Sequence, residues 1–175
     1  MTTNSIALTG VERTFKEDEI IVSKTDVKGR LVYTNQTFLE VADYSEQECL
    51  GQPHSMIRHP DMPRCIFKLL WDTISQGKEI FAYVVNRTKF GDHYWVLAHV
   101  TPTYDEDGKT IKGYHSNRRV PNLEALEVVK PLYAELKHEE EKHANAKDGM
   151  NAAYKLLQQK LTDAGMEYDE FVLSL

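Results

Sequence analysis

The segment Gly51-Gln52-Pro53-His54-Ser55-Met56-Ile57-Arg58-His59-Pro60-Asp61-Met62-Pro63 gathers two histidines, an arginine, an aspartate and three prolines in one short span. Arg58 offers a planar fork of donors that can form two parallel bonds to phosphate oxygens. His54 and His59 can each donate and accept, and Asp61 can orient either a histidine or the arginine. Proline fixes its own φ and biases the preceding residue away from helix, so Arg58, His59 and Asp61 are held in set directions. An alternative without a ligand is an Arg58–Asp61 brace of the loop itself. Downstream, Asn86 stands in the apolar run Val84-Val85-Asn86, where its amide could read a ligand edge that both donates and accepts. The alternative for Asn86 is an edge-strand position facing solvent.

These residues need elements to position them. Glu19–Lys24 reads as a buried strand, 25–30 as a turn and Leu31–Thr34 as the returning strand of a hairpin. Asn35 is placed to cap a short helix from Gln36, with Phe38, Val41 and Ala42 on one side. Ser45-Glu46-Gln47-Glu48 has the form of a capping box, and Gly51 ends that helix. Pro63 suits the first turn of the next helix, where Cys65, Ile66, Leu69, Leu70 and Ile74 recur at helical spacing before Gly77. That helix carries Trp71. Three strand-like runs follow, Ile80–Thr88, His93–Pro102 and Thr110–Arg118, the last two joined by a turn with Asp107-Gly108 at its tip. The layout is α+β: an antiparallel five-stranded sheet with short helices on one face. From Asn122 the chain turns rich in Leu, Glu, Lys and Ala. Leu123, Leu126, Val129 and Leu132 form one stripe, Pro131 is expected to interrupt or kink it, and Met150, Ala153, Tyr154, Leu157 and Leu161 form another. The charged run 138–143 between them reads as a solvated surface. Its two histidines are five apart and do not share a helix face at i, i+4 spacing, which argues against a metal site.

Composition narrows the classes. The chain has 175 residues, 41% of them hydrophobic and 27% charged, which fits one domain with appended helices. No apolar run of about 18 residues predicts a membrane span, and the first residues lack the basic and apolar regions of a signal peptide. Cys49 and Cys65 form neither a disulfide framework nor a CxxC motif, so the expected compartment is the reducing cytoplasm. A formal net charge of −6 argues against a nucleic-acid partner. No paired carboxylates, nucleophile–base pair or metal-ligand pattern stands at catalytic spacing, so an enzyme is not expected.

The Pro-rich segment resembles the signature of the PAS sensor domain of bacterial aerotaxis receptors. The resemblance runs from about Val11 to Pro121. It is carried by Ser23-Lys24-Thr25-Asp26, Asn35, Gly51–His54, Ile57–Pro63, Trp71, Asn86-Arg87, Gly91–Val96 and Gly113-Tyr114. No membrane anchor, HAMP module or methyl-accepting tail accompanies it, so the expectation is a free-standing sensor module. The expected division is an N-terminal extension over 1–18, the PAS domain over 19–121 and a helical extension over 122–175.

The resemblance implies FAD as the cofactor. A flavin ring needs a dry slot with apolar or aromatic walls, its pyrimidine edge needs matched donors and acceptors, and its pyrophosphate needs cations or backbone N–H groups. The implied contacts are Trp71 at the ring, Asn86 at the pyrimidine edge, and Arg58, His59 and Asp61 in support, without settling which atom each meets. His54 is a further candidate for the outer half of the cofactor. Asn35 is a candidate, with plain helix capping as its alternative. On the last strand His115 and Asn117 share one face and Ser116 the other, and His115 is a candidate if its face looks inward. Trp95 reads as sheet-surface packing against a helix or a partner. The function implied is redox or oxygen sensing in energy taxis, by protein contact with a chemotaxis or other signalling partner and as a homodimer.

Three rivals remain. Haem would need His54 or His59, because the helix after Pro63 carries no histidine. A blue-light photoreceptor of the LOV type would need a cysteine in an N-C-R-F-L-Q motif, which is absent. Cys65 reads instead as a small buried hydrophobe. A ligand-free PAS dimerisation module would fill its own pocket.

Overall fold

A computed structural model describes residues 6–175. Strands β1 (Ile21–Asp26) and β2 (Leu31–Thr34) form the first hairpin. Then come α1 (Gln36–Ala42), α2 (Glu46–Cys49), a 3₁₀ turn over His54–Ile57, and α3 (Arg64–Ile74). Strands β3 (Ile80–Arg87), β4 (His93–Tyr104) and β5 (Ile111–Arg119) complete one antiparallel sheet in the order β2-β1-β5-β4-β3. Helices α4 (Leu123–Glu141), α5 (Ala146–Ala164) and α6 (Tyr168–Ser174) close the chain.

The local signals act as their chemistry requires. Asn35 Oδ1 accepts from Phe38 N–H, capping α1, and both halves of the Ser45–Glu48 capping box are formed. β1 starts at Ile21 rather than Glu19, because a turn closes just before it through Glu19 N–H to Lys16 O. Pro63 occupies the N-cap position of α3 rather than its first turn. β4 runs on to Tyr104, and the turn is tightened by the Asp107 carboxylate, which accepts from the N–H groups of Lys109 and Thr110.

Period-two alternation gives the sheet two faces. The inner face carries Ile21 and Ser23 of β1, Val84 and Asn86 of β3, Tyr94, Val96, Ala98 and Val100 of β4, and Tyr114 and Arg118 of β5, all buried. Phe38, Ile57, Met62 and Ile66 pack above it from the helical side. The Pro-rich segment is laid across this face from one edge of the sheet to the other. At the β2 edge, Gly51 N–H donates to Leu31 O, Leu31 N–H to Gln52 O, and His54 N–H to Gly29 O. At the β3 edge, Arg58 pairs with Asn86 as an isolated antiparallel bridge, and Arg87 Nε–H donates to Arg58 O at 3.1 Å.

The outer face at β3 and β4 is covered by α4. Trp95 packs against Tyr133, the ring centroids 6.0 Å apart, with Lys130 Nζ over its ring. Tyr133 OH donates to Tyr83 O at 2.6 Å. The buried stripe of α4 is Ala125, Leu126, Val129, Tyr133, Leu136 and Glu140. Leu123, expected in that stripe, is 74% exposed. α4 continues through Pro131 as one uninterrupted helix. Pro131 is exposed, and so is Glu127, the residue whose carbonyl loses its partner and meets water instead. The run 138–143 is not uniformly solvated, since Glu140 lies buried at 7% exposure. α5 packs against α3 and α4, with Ala153 and Leu157 buried, and α6 lies against β3.

Candidate functional site

Between the inner face, the Pro-rich segment and α3 lies a cavity of about 250 Å³. Its walls are mainly apolar: Phe67, Leu70, Trp71 and Ile74 of α3, Val84 of β3, Ala98 and Val100 of β4, and Tyr114 of β5. Trp71 stands at the mouth, 38% exposed, with its ring edge-on to Tyr114 at 5.4 Å. The tip of that ring reaches Gly29 in the β1–β2 turn so closely that a Cβ there would lie 3.1 Å from it. Gly29 also holds φ at +76°, which a side chain would strain.

The polar groups of the cavity carry one sign of charge. Among the described residues its lining includes Lys28, Arg58 and Arg118 and no carboxylate. Arg118 is the most informative. It is 2% exposed, with its guanidinium over the Phe38 ring. Its Nε–H donates to Ser116 Oγ at 3.1 Å and an Nη2–H to Ser23 Oγ, while Nη1 has no partner. Burial pushes its pKa down to about 10, opposed only in part by Tyr94, and no carboxylate offsets the cost. Ser23 Oγ, which accepts from Arg118, also lies in hydrogen-bond contact with His54 Nε2 at 3.2 Å. Burial, reinforced by the Arg118 charge, pushes the His54 pKa down to about 3, so the ring is neutral. Asn86 is 3% exposed, and its Nδ2 has no partner. Two residues lining the cavity, Arg118 and Asn86, therefore each carry a buried N–H without a partner. Both demand acceptors, and the guanidinium favours negative charge.

Of the residues expected at the site, the fold brings His54, Arg58, Trp71 and Asn86 to the cavity. Arg58 does not brace Asp61. An Nη2–H donates to Met62 O at 3.1 Å, and its guanidinium lies 4.4 Å from the Phe67 ring centroid. Its pKa is lowered by burial first and by Arg64 second.

The other four lie outside. Arg58 is extended, so the next side chain points the opposite way. His59 accordingly sits 5.7 Å from the His93 ring, its Nδ1 accepting from Asp61 N–H at 3.2 Å. Burial lowers its pKa too. Asp61 is exposed, with Oδ2 3.6 Å from His59 Nδ1. The Asn35 amide is consumed by Phe38 N–H, Val22 N–H and Ile20 O. His115 lies on the outer face, bonded to Asn117, because Tyr114, Ser116 and Arg118 take the inward parity of β5.

Sequence reasoning missed Arg118, left the face of Ser116 open and gave Ser23 no role of its own. The usable signal was parity: once Tyr114 is taken as the inward aromatic, Ser116 and Arg118 follow on the same face.

Comparison with known proteins agrees with this geometry. Residues 31–115 match the model of the PAS fold. The aerotaxis receptor of Escherichia coli (strain K12) is 43% identical over 120 residues, covering 69% of this chain and 23% of the receptor. Phototropin-1A of Oryza sativa subsp. japonica is 27% identical over 78 residues, covering 45% of this chain and 8% of that protein. The chain thus spans under a quarter of the length of these two relatives. Among solved structures, the dark structure of the blue-light photoreceptor Aureochrome1 LOV superposes with a TM-score of 0.55 at 22% identity, over 63% of this chain and 82% of that one. With its antiparallel sheet, its helices across the inner face and the Pro-rich segment bridging both sheet edges, this chain has the PAS fold, and over 120 residues it is similar to the aerotaxis receptor.

Proposed function

We propose that this chain is a flavin-binding PAS sensor, with FAD as the resident form, that reports redox or respiratory state by changing a protein–protein interface. The observation that carries this reading is the pair of unpaired donors, Asn86 Nδ2 and Arg118 Nη1, buried against apolar walls in a cavity lined by cations and by no carboxylate. A flat ring with a hydrogen-bonding, electron-rich edge and an anionic tail satisfies all three demands at once. Asn86 and Arg118 would hold the edge, Trp71 and the α3 side chains the ring, and Arg58 and Lys28 the anionic portion. Bound flavin supplies reversible uptake of electrons and protons. The protein's part is to exclude water, hold the ring and answer a change in its hydrogen bonding. Asn86 can answer by exchanging its amide oxygen for its nitrogen, and Arg118 by shifting its bonds to Ser23 and Ser116, which joins β1 to β5. The output passes through flanking helices, a second copy of the chain or a signalling partner in the cytoplasm, and energy taxis is the setting that the aerotaxis-receptor likeness supports.

Haem is less well served. His59 lies off the cavity, and His54 Nε2 is already engaged by Ser23. A pocket filled by its own side chains would not leave a cavity with two unpaired donors.

The test is the visible absorption of freshly purified protein, followed by identification of any ligand released on heating. Flavin bands with released FAD, reduced in Asn86→Ala, support the reading. A haem Soret band, or a colourless protein that takes up no added FAD, overturns it. An Asn86→Ala protein that holds flavin and signals normally would remove Asn86 from the mechanism.

A further inference from the structure

α3 starts without a cap of its own. Pro63 stands at the N-cap position and no side chain of that turn bonds back, so the first N–H groups need partners from elsewhere. One comes from 75 residues further along the chain. Glu140, at the end of α4, accepts from Cys65 N–H through Oε1 at 2.9 Å. A buried carboxylate is expensive to hold, and the positive end of a helix is where it is best tolerated. Its second oxygen, Oε2, has no partner. The groups facing Glu140 are therefore the first turn of α3, with the Cys65 thiol, and the nearby guanidinium of Arg58. α4 and α5 close on each other at the same point: a Cβ on Gly149 would lie 2.3 Å from Glu140 O.

α3 is also a wall of the cavity, through Phe67, Leu70, Trp71 and Ile74. Arg58, on the same wall, donates to Met62 O immediately before Pro63. The two ends of this short path are the cavity and the C-terminal helices, and Glu140 is the carboxylate that joins them, beside the Lys68 ammonium of α3 over the Tyr154 ring of α5.

We infer that Glu140 is a latch that couples docking of the C-terminal helices to the conformation of the cavity wall α3. A state of the cavity that shifts Arg58 or the first turn of α3 weakens the latch and loosens α4 to α6. By reciprocity, undocking those helices loosens the wall. That the occupant of the cavity is a flavin rests on the reading above; the latch itself does not.

The experiment is hydrogen–deuterium exchange by mass spectrometry on the full chain, comparing wild type, Glu140→Ala and Glu140→Gln, each with and without added FAD. Without FAD, Glu140→Ala should raise exchange about tenfold to a hundredfold in two separate places, the first turn of α3 and the facing parts of α4 and α5. The β1–β5 amides should stay as in wild type. Glu140→Gln keeps an acceptor oxygen and should recover part of the protection. With FAD, wild type should gain protection in both places, and Glu140→Ala in α3 alone. Two results overturn the latch: faster exchange confined to 138–143, or a uniform rise that includes the sheet. If no variant takes up FAD, the flavin reading fails while the comparison without FAD still decides the latch.

Discussion

Replacing Arg118 with methionine should make the ligand-free protein more stable and its ligand binding weaker, a combination that an ordinary core substitution does not give. Methionine keeps the unbranched stem and fills the same apolar space, so the change removes charge and donors with little change in volume. In the cavity the guanidinium is 2% exposed and its acceptors are two neutral hydroxyls. The fall of its pKa from 12.5 to about 10 corresponds to a net cost of roughly 3 kcal/mol, set by lost hydration that Tyr94 offsets only in part and no carboxylate recovers. The substitution forfeits two hydrogen bonds to serine, worth about 1 kcal/mol each, and both hydroxyls can find other partners. The net expectation is a gain of about 1 kcal/mol, or roughly 2–4 °C in Tm for a chain of this size. A bound flavin would lose a charge-assisted hydrogen bond worth about 1.5–3 kcal/mol, so the Kd should rise by roughly tenfold to 150-fold. Thermal melts of flavin-stripped protein and titration with FAD measure both quantities. Arg118→Lys, which keeps the charge but not the fork, should bind between the two. A destabilised ligand-free Arg118→Met with unchanged FAD affinity would show that the guanidinium serves the fold, and the argument from the unpaired Nη1 would be refuted.

The remaining predictions test neighbouring parts. Because the His54 pKa is lowered to about 3 in the folded state, the unfolded chain binds the extra proton between that value and about 6.5. His54 therefore contributes stability that is present above about 6.5 and is lost as pH falls toward 3, with a slope of at most about 1.4 kcal/mol per pH unit. Denaturant titrations of wild type and His54→Gln across that window should show a shallower slope in the variant; equal slopes would mean that His54 is already protonated in the fold. Gly113→Ala should cost at least about 2 kcal/mol, because its Cβ would lie 2.1 Å from Thr25 O in the β1–β5 ladder, where only backbone can yield. A Tm within 1–2 °C of wild type would show that the ladder adjusts freely.

The parts of the fold legible in the sequence are those set by neighbours in the chain. Asn35 and the Ser45–Glu48 box cap helices by contacts three residues long, and they form as their spacing implies. The five strands were marked by alternation and turn residues for the same reason. What alternation cannot supply is an absolute sense of inward and outward. His115 and Arg118 occupy opposite faces of β5, and only the packing of Tyr114 beneath Trp71 decides between them. His59 and Arg58 pose the same problem in the loop, where one extended residue sends adjacent side chains to opposite sides. Glu140 was unreadable for another reason. Amid His138-Glu139-Glu140-Glu141-Lys142-His143 it looks like any solvated charge, and its burial depends on the uncapped start of a helix 75 residues earlier.

The Pro-rich segment illustrates how a motif acquires function from topology. Its residues do not converge on one point. Gly51 to His54 complete the β2 edge and Arg58 completes the β3 edge, so the segment ties together the two strands farthest apart in the sheet. The proline-restricted backbone limits how far that span can stretch. The cavity lies under the span, with His54 and Arg58 on its wall and α3 continuing from its end. A change of bonding at Asn86 acts directly on one anchor, because Asn86 is the residue that Arg58 pairs with. A change at Arg118 acts on β1 through Ser23, and on His54 through the same hydroxyl. Both unpaired donors of the cavity are therefore wired to opposite ends of one strap, and that strap leads into the helix that Glu140 caps. A ligand that changes its hydrogen-bonding character would meet, in this arrangement, two levers on a single rigid element rather than a diffuse core.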